Sequence, residues 1–307
     1  MRTFRMTGYN YLTVTTVLVT LVLITIGSIV RTTESGLGCP DWPLCYGQIF
    51  PPAEKIAIIE WSHRTFAALT GLLIIAQAIF TVLFKRKDGV LVKLSVATLP
   101  LLLIQAELGR RTVEAELPPA LVAFHLFTAL ALVAVLSIIT TYAWLGIRRI
   151  RTFTPQRIKV VRAAWVCAFS VAGVIAVGTY AVATDAGFAC TTWPDCKEAM
   201  TPFVTGGRLQ TIHWIHRISV LVPFLTIGYV HMTLSRLPRP DQRLRILAII
   251  AAVIFVAQIF IGALNVWTEW AEWARVAHLL FSASVWALFC SIGVLALYEN
   301  REITISK

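Results

Sequence analysis

The chain has 307 residues, of which 57% are hydrophobic and 14% are charged, and its mean hydropathy is +0.75. A water-soluble core cannot bury so much apolar surface, so the composition excludes a soluble domain and predicts an integral membrane protein. The net charge of +11 does not indicate nucleic-acid binding, because the basic residues concentrate in short loops that we assign to one side of the membrane.

Crossing the hydrocarbon core of a bilayer takes about 20 apolar residues per helix. We place eight such helices near residues 11–30, 59–84, 90–109, 119–147, 158–183, 212–235, 244–267 and 273–298. The first run lacks the small-residue cleavage site of a signal peptide before Arg31, so we expect it to be retained as a helix. The basic inside loops predict an all-α membrane protein with both termini in the cytoplasm.

The second half of the chain repeats the first. Ile-Glu-Trp-Ser-His-Arg at 59–64 returns as Ile-His-Trp-Ile-His-Arg at 212–217. Equivalent pairs include Gly27 and Gly178, Cys39 and Cys190, Cys45 and Cys196, Gln105 and Gln258, and Gly109 and Gly262. We therefore predict two pseudo-symmetric, parallel four-helix bundles, residues 1–150 and 151–307, joined by a basic turn.

Four histidines hold equivalent places early in the second, fourth, sixth and eighth predicted helices: His63, His125, His216 and His278. Ionisable groups inside a membrane are costly and usually functional. Two facing imidazoles in a four-helix bundle suit bis-histidine ligation of a haem iron. The alternative is that each histidine only forms hydrogen bonds between helices. Zinc is disfavoured, because no third and fourth ligand stands at a suitable spacing.

Glu60 distinguishes the two halves. It precedes His63 by three residues, on the same helix face, whereas His213 takes that place before His216. A carboxylate there can exchange protons with a substrate or stabilise developing positive charge, so we expect catalysis in the first half and a resident cofactor in the second. The alternative is a simple interfacial charge at a helix N-terminus. Glu107 is a second candidate acid, and His213 has no assigned role.

Arg64 and Arg217 each follow a candidate ligand. A guanidinium group can hold a haem propionate through two parallel hydrogen bonds. Ordinary snorkelling of the arginines to the membrane surface is the alternative.

Two cysteine pairs, Cys39 with Cys45 and Cys190 with Cys196, stand six residues apart in the long loops that we assign to the outer side. Disulfides persist on that side, and the spacing permits a small bridged loop. The second pair is interpreted as a structural bridge. The first pair is either structural or redox-active, because a short bridged loop can be strained and reducible.

Taken together, these residues make the chain resemble the haem A synthases, the membrane enzymes that oxidise haem O to haem A for terminal oxidases. The resemblance covers nearly the whole chain. It rests on Gly-Cys-Pro-Asp-Trp-Pro-Leu-Cys at 38–45, Glu-Trp-Ser-His-Arg at 60–64, His125, Ile-His-Arg at 215–217 and His278.

The resemblance implies oxidation of one porphyrin methyl group to a formyl group, through successive hydroxylations and loss of water. It implies that His63 and His125 address the substrate haem O, and that His216 and His278 ligate a bound haem b. Glu60 matches the essential acid of the family. The first-loop cysteines match the family pair, whereas the second pair is not present in every member and receives no catalytic role.

We further expect the cell membrane as the location, with the cysteine loops on the outer face. The expected partners are haem O, the lipid bilayer, the haem O synthase and an electron-transfer protein. Two other functions remain open from the residues. One is a dihaem b-type electron-transfer protein, and the other is a thiol or quinone oxidoreductase that uses the outside cysteine pairs.

Overall fold

The computed structural model describes residues 8–145, 148–149, 154–196, 207–238 and 242–299. Its helices are α1 (Gly8–Thr32), α2 (Lys55–Phe84), α3 (Gly89–Glu114), α4 (Pro119–Leu145), α5 (Pro155–Ala183), α6 (Arg208–Ser219), α7 (Leu221–Ser235), α8 (Gln242–Trp267) and α9 (Glu272–Leu295). A 3-10 turn covers Ala186–Phe188. Strands β1 (Arg148–Arg149) and β2 (Tyr298–Glu299) form a two-stranded sheet.

Eight segments in the described ranges are long and apolar enough to cross a membrane, with α6 and α7 together forming the sixth. The predicted all-α membrane fold is therefore confirmed. Large apolar side chains such as Leu72, Leu103 and Phe169 are more than half exposed on the helix surfaces, as expected for side chains that face lipid. The prediction of cytoplasmic termini falls on residues 1–7 and 300–307, which lie outside the described residues.

The sixth span was expected as one helix from 212 to 235, but it begins at Arg208 and is interrupted at Val220. The interruption has a local cause, because Pro223 has no N–H to donate to the carbonyl of Ser219, four residues earlier. The N–H of Val220 instead bonds back to the carbonyl of Arg217, three residues earlier, at 3.3 Å. The break therefore lies one turn after His216. The equivalent helix of the first unit, α2, is continuous.

The chain divides into two compact units, one that runs up to Arg148 and one that covers Arg149–Glu299. In the first unit the helices pack in the cyclic order α1, α2, α3, α4 and back to α1. Its apolar core includes Ile74, Leu132 and Leu136. In the second unit α5 packs against α6, α7 and α9, and α8 packs against α9 and, less extensively, α7.

Left-handed residues follow the helices at equivalent places in both units. Glu34 after α1 and Asp185 after α5 have φ values of 55° and 56°. Leu117 after α3 and Trp270 after α8 have φ values of 62° and 64°. Residues in this conformation end helices by turning the chain back over the last carbonyls, so corresponding helices in the two units end in the same manner.

Candidate active site

Helix α2 carries the acid and the first histidine. Glu60 is only 4% exposed and stands one turn before His63, so both side chains project from one face of the helix. The Nδ1 atom of His63 is buried and has no hydrogen-bond partner among the described residues. His125 lies on α4, and its Nδ1 atom is likewise buried without a hydrogen-bond partner among the described residues.

The four histidines lie at matching depths in the two units. His63 and His216 each come eight residues after the first residue of their helix, and His125 and His278 each come six residues after it. With a rise of 1.5 Å per residue, these positions are about 9 to 12 Å along the helix from its start. Each unit thus carries its histidine pair near the end that also carries its cysteine loop.

Each imidazole rests against a glycine of a neighbouring helix. A methyl group added to any of these glycines would lie only 2.7 to 3.2 Å from Cε1 of the ring, so a larger residue would displace the ring. Each glycine therefore leaves the space that the ring occupies, and we call it the seat of that histidine. The pairs are Gly27 with His63, Gly109 with His125, Gly178 with His216, and Gly262 with His278.

In the second unit the rings of His216 and His278 have centres 6.3 Å apart, and their planes are at 80° to each other. A metal–imidazole bond is about 2 Å long, so a metal between two coordinating imidazoles separates the ring centres by roughly 6 Å. The pair therefore fits bis-histidine ligation of one iron. No cluster of three or more histidine, cysteine, aspartate or glutamate side chains suited to a metal occurs within the described ranges.

In each unit a glutamine contacts the second histidine of the pair, His125 or His278. Gln105 on α3 lies with its Nε2 atom 3.2 Å from Nε2 of His125. Gln258 on α8 lies with its Nε2 atom 3.0 Å from Nδ1 of His278. The two amides thus meet different ring nitrogens of equivalent histidines.

Arg64 joins Glu60 to the first cysteine loop. Its Nε atom donates to the carboxylate of Glu60 at 3.0 Å. Its terminal nitrogens donate to the carbonyls of Asp41 and Leu44 at 2.5 and 2.6 Å and to the carbonyl of Cys39 at 3.0 Å. The guanidinium therefore holds the loop over the carboxylate.

Arg217 makes the corresponding contacts in the second unit, without a carboxylate. It donates to the carbonyls of Thr192 at 2.7 Å, Cys190 at 3.4 Å and Asp195. These acceptors are the repeat equivalents of the three that Arg64 uses. Both arginines were predicted to hold haem propionates, and their contacts with the loop carbonyls were not predicted. The signal was present, since an arginine after the histidine and a cysteine pair before it occur together in both halves.

Both predicted cysteine pairs are disulfide-bonded, with Cα–Cα distances of 4.7 Å. In the first loop, the Asp41 carboxylate accepts hydrogen bonds from the N–H groups of Tyr46 and Gly47 at 2.6 and 2.7 Å. The bond from Gly47 is the largest cause that holds the pKa of Asp41 below its ordinary value of 3.8. Gly38 is required before the bridge, because a Cβ there would collide with the carbonyl of Ile56 at the start of α2.

The remaining candidates lie apart from this arrangement. Glu107, the second candidate acid, lies within α3 as predicted. Its side chain is 43% exposed and pairs with Arg110 and Arg111 on the same helix at 2.8 and 2.6 Å. His213 takes the place of Glu60 in the second unit, is 8% exposed, and lies with its ring centre 5.9 Å from that of Trp270. The structure thus gives Glu107 an ion-pair network and His213 an aromatic contact.

Comparison with known proteins agrees with the sequence motifs. The family model described as COX15-CtaA, cytochrome oxidase assembly protein, matches residues 10–56 and 53–290. A heme A synthase of Alkalihalophilus pseudofirmus is 32% identical over 300 residues, covering 95% of this chain and 97% of the relative. A heme A synthase of Bacillus pumilus is 27% identical, with 95% and 97% covered, and one of Shewanella oneidensis is 28% identical, with 86% and 89% covered. This chain therefore belongs to the COX15-CtaA family of cytochrome oxidase assembly proteins.

Proposed function

We propose that this protein is a haem A synthase, an oxidoreductase that converts a methyl group of haem O to the formyl group of haem A. Two hydroxylations of the methyl carbon, each a two-electron oxidation, followed by loss of one water give the formyl group. The four electrons removed from this carbon would pass to the electron-transfer partner. The observation that carries the proposal is Glu60: a buried carboxylate stands one helical turn from a histidine pair in the first unit only. The full-length relatives with this name support it.

The first unit is assigned to the substrate. His63 and His125 would hold haem O, and Glu60 would face the reacting methyl group. Its carboxylate can take a proton from the substrate or stabilise positive charge that develops at the methyl carbon. A buried carboxylate does this better than an exposed one, because little water competes for the charge.

The second unit is assigned to a resident haem b. His216 and His278 would ligate its iron, since their ring separation fits two iron–imidazole bonds. When bound, haem b supplies one-electron transfer. His213 in place of the acid agrees with a site that stores electrons and does not alter its porphyrin.

Arg64 and Arg217 remain predicted propionate partners. Each already donates to loop carbonyls, so a propionate and the cysteine loop would share one guanidinium. The disulfides favour an oxidising compartment, which supports a cell-membrane protein with these loops on the outer face. The haem O synthase and an electron-transfer protein are the proposed partners.

The two other functions account for fewer of these features. A dihaem electron relay across the membrane needs one haem near each surface, whereas each unit holds its histidines near the end that carries its cysteine loop. A thiol or quinone oxidoreductase uses the disulfides but leaves the four glycine-seated histidines without a role.

The test is co-expression with a haem O producer, followed by pigment extraction and chromatography of the haems. Haem A is expected only when the intact chain is present. Glu60→Ala should abolish haem A and leave the haem b spectrum intact, whereas the matched variant Glu107→Ala should retain both. His216→Ala or His278→Ala should remove or change the haem b spectrum. A wild-type chain that never yields haem A would overturn the proposal, and loss of both haems in Glu60→Ala would indicate a folding defect.

A further inference from the structure

We infer that Gln105 is a latch on the substrate histidine: its amide competes with the haem iron for Nε2 of His125 and so makes the haem in the first unit replaceable. Gln258 instead holds Nδ1 of His278 and supports a haem that stays bound. This inference rests on the proposed function, because an enzyme that alters one haem must release it after each conversion and keep the other.

The contacts of Gln105 define the latch. Its Nε2 atom lies 3.2 Å from Nε2 of His125, the ring nitrogen farther from the backbone. Its Oε1 atom accepts a hydrogen bond from the hydroxyl of Thr128, one turn after the histidine. Both ends of the amide are therefore engaged. An iron that approaches Nε2 of His125 must replace the amide.

The contacts of Gln258 leave the outer nitrogen out of the hydrogen bond. Its Nε2 atom lies 3.0 Å from Nδ1 of His278 and also donates to the carbonyl of His278 at 2.7 Å and to the hydroxyl of Ser282. A histidine that binds iron through one ring nitrogen carries a proton on the other, which needs an acceptor. As placed, the Gln258 amide donates to Nδ1, so the amide must turn over when Nδ1 takes up the proton. Its Oε1 atom, which is buried and has no hydrogen-bond partner among the described residues, is then the acceptor for that proton.

The difference follows from a one-residue shift of a hydroxyl. The hydroxyl that binds the amide stands three residues after His125, at Thr128, but four residues after His278, at Ser282. The other two positions carry no hydroxyl, since Ala129 and Phe281 occupy them. The hydroxyl that holds the amide therefore lies one residue farther from the histidine on α9 than on α4. The amide accordingly contacts Nδ1 of His278 but Nε2 of His125. The sequence therefore encodes opposite behaviour in two otherwise equivalent sites.

The test measures haem transfer from the purified full-length protein, loaded by co-expression with a haem O producer, to an excess of apomyoglobin. Wild type should show a fast phase from the first unit and a slow phase from the second. Gln105→Met removes the hydrogen bond that competes with iron for Nε2 of His125. It should therefore slow the fast phase about three- to ten-fold and leave the slow phase unchanged. The matched variant Gln258→Met should accelerate the slow phase alone.

A second variant tests the hydroxyl shift. Thr128→Ala combined with Ala129→Ser gives the first unit the hydroxyl position of the second, and it should slow the fast phase as Gln105→Met does. In the two variants of the first unit, an unchanged slow phase shows that the protein is folded; in Gln258→Met, an unchanged fast phase shows it. A fast phase that is unchanged or faster in Gln105→Met overturns the latch. A wild-type chain that holds a single haem and yields no haem A instead overturns the proposed function, and the latch with it.

Discussion

Arg64 donates a hydrogen bond at 3.0 Å to the carboxylate of Glu60, and both side chains are largely buried, at 13% and 5% exposure. The same guanidinium donates to three carbonyls of the bridged loop. One side chain therefore neutralises the candidate catalytic acid and fixes the loop above it. The acid and the disulfide, which lie in different segments of the sequence, form one connected unit.

Arg64→Gln should destabilise the protein strongly, because it leaves the Glu60 carboxylate buried without a cation. Loss of one partner of a buried pair costs on the order of 3 to 5 kcal/mol. Adding Glu60→Gln should recover part of this loss, since the uncompensated charge is then removed. Thermal unfolding of the purified protein in detergent measures both effects.

Arg217 provides the control for this cycle. It holds the equivalent loop, but His213 stands where Glu60 would be. Arg217→Gln should lower the unfolding temperature through the lost carbonyl contacts alone, and adding His213→Gln should restore nothing. Equal rescue in both units would show that the Arg64–Glu60 charge pair is not the cause.

Much of the fold follows from the sequence, because helices that cross a membrane must satisfy their backbone hydrogen bonds internally and are therefore long apolar runs. Helix ends were less well predicted. For example, α2 begins at Lys55, four residues before the expected start, and α3 continues to Glu114. The end of α3 runs through the mostly polar residues Arg110 to Glu114 into the interface, which hydropathy alone does not detect. The start of α2 is set by the turn that follows Pro52, because the N–H of Ile58 already bonds to the carbonyl of Glu54.

The site was predicted in its residue types more than in its contacts. The repeat identified Gln105 and Gly109 as equivalents of Gln258 and Gly262, but gave them no role. Their roles depend on which helices pack against each other, and on a gap between glycine and imidazole that one methyl group would fill. The periodicity of the sequence specifies neither. The arginines were predicted to bind propionates only. Which loop carbonyls they contact could not be predicted, because every residue has a backbone carbonyl and the sequence does not mark which ones accept hydrogen bonds.

Gly178→Ala should disturb the second histidine pair. A Cβ at this position would lie 2.7 Å from Cε1 of His216, so the ring must turn away from its seat. Small errors in ligand orientation weaken metal binding about ten- to a hundred-fold, so the affinity for haem b should fall by a comparable factor. The haem b content of the purified protein should therefore be lower than in wild type. The reduced-minus-oxidised spectrum of purified protein measures it.

Gly173 lies on the same helix, and no atom of the described residues outside its own helix backbone and chain neighbours lies within 4 Å of its Cβ position. Gly173→Ala should therefore leave the spectrum unchanged and stabilise α5 by up to about 1 kcal/mol, because alanine is the better helix former. A spectrum that changes equally in both variants would assign the effect to the helix and not to the His216 seat.

The first loop should loosen in acid. The pKa of Asp41 is held below 3.8 by hydrogen bonds from Gly47 and Tyr46, so its stabilising contribution is complete above that value. The contribution is lost as the pH falls through the lower pKa of the folded protein. Hydrogen–deuterium exchange of the loop peptide, corrected for the intrinsic rate at each pH, should rise at the acid end. In Asp41→Asn, faster exchange should already be present at neutral pH and should show no such transition.

The two disulfides should have different consequences when removed. The three carbonyls that Arg64 contacts all lie within the segment closed by Cys39 and Cys45. Opening that bridge frees the segment, at a cost to the loop of about 2 kcal/mol, and weakens the positioning of Arg64 beside Glu60. The double variant Cys39→Ser/Cys45→Ser should therefore lower haem A formation several-fold and leave haem b content near wild type.

The matched double variant Cys190→Ser/Cys196→Ser frees the loop that Arg217 holds in the unit without the acid. Its direct effect should be a lower haem b content, and haem A formation should fall in proportion to the haem b content. Chromatography of extracted haems gives both quantities from one sample. Full haem A formation in Cys39→Ser/Cys45→Ser would show that Arg64 keeps Glu60 in place without the bridge, and that the bridge serves only the stability of the loop.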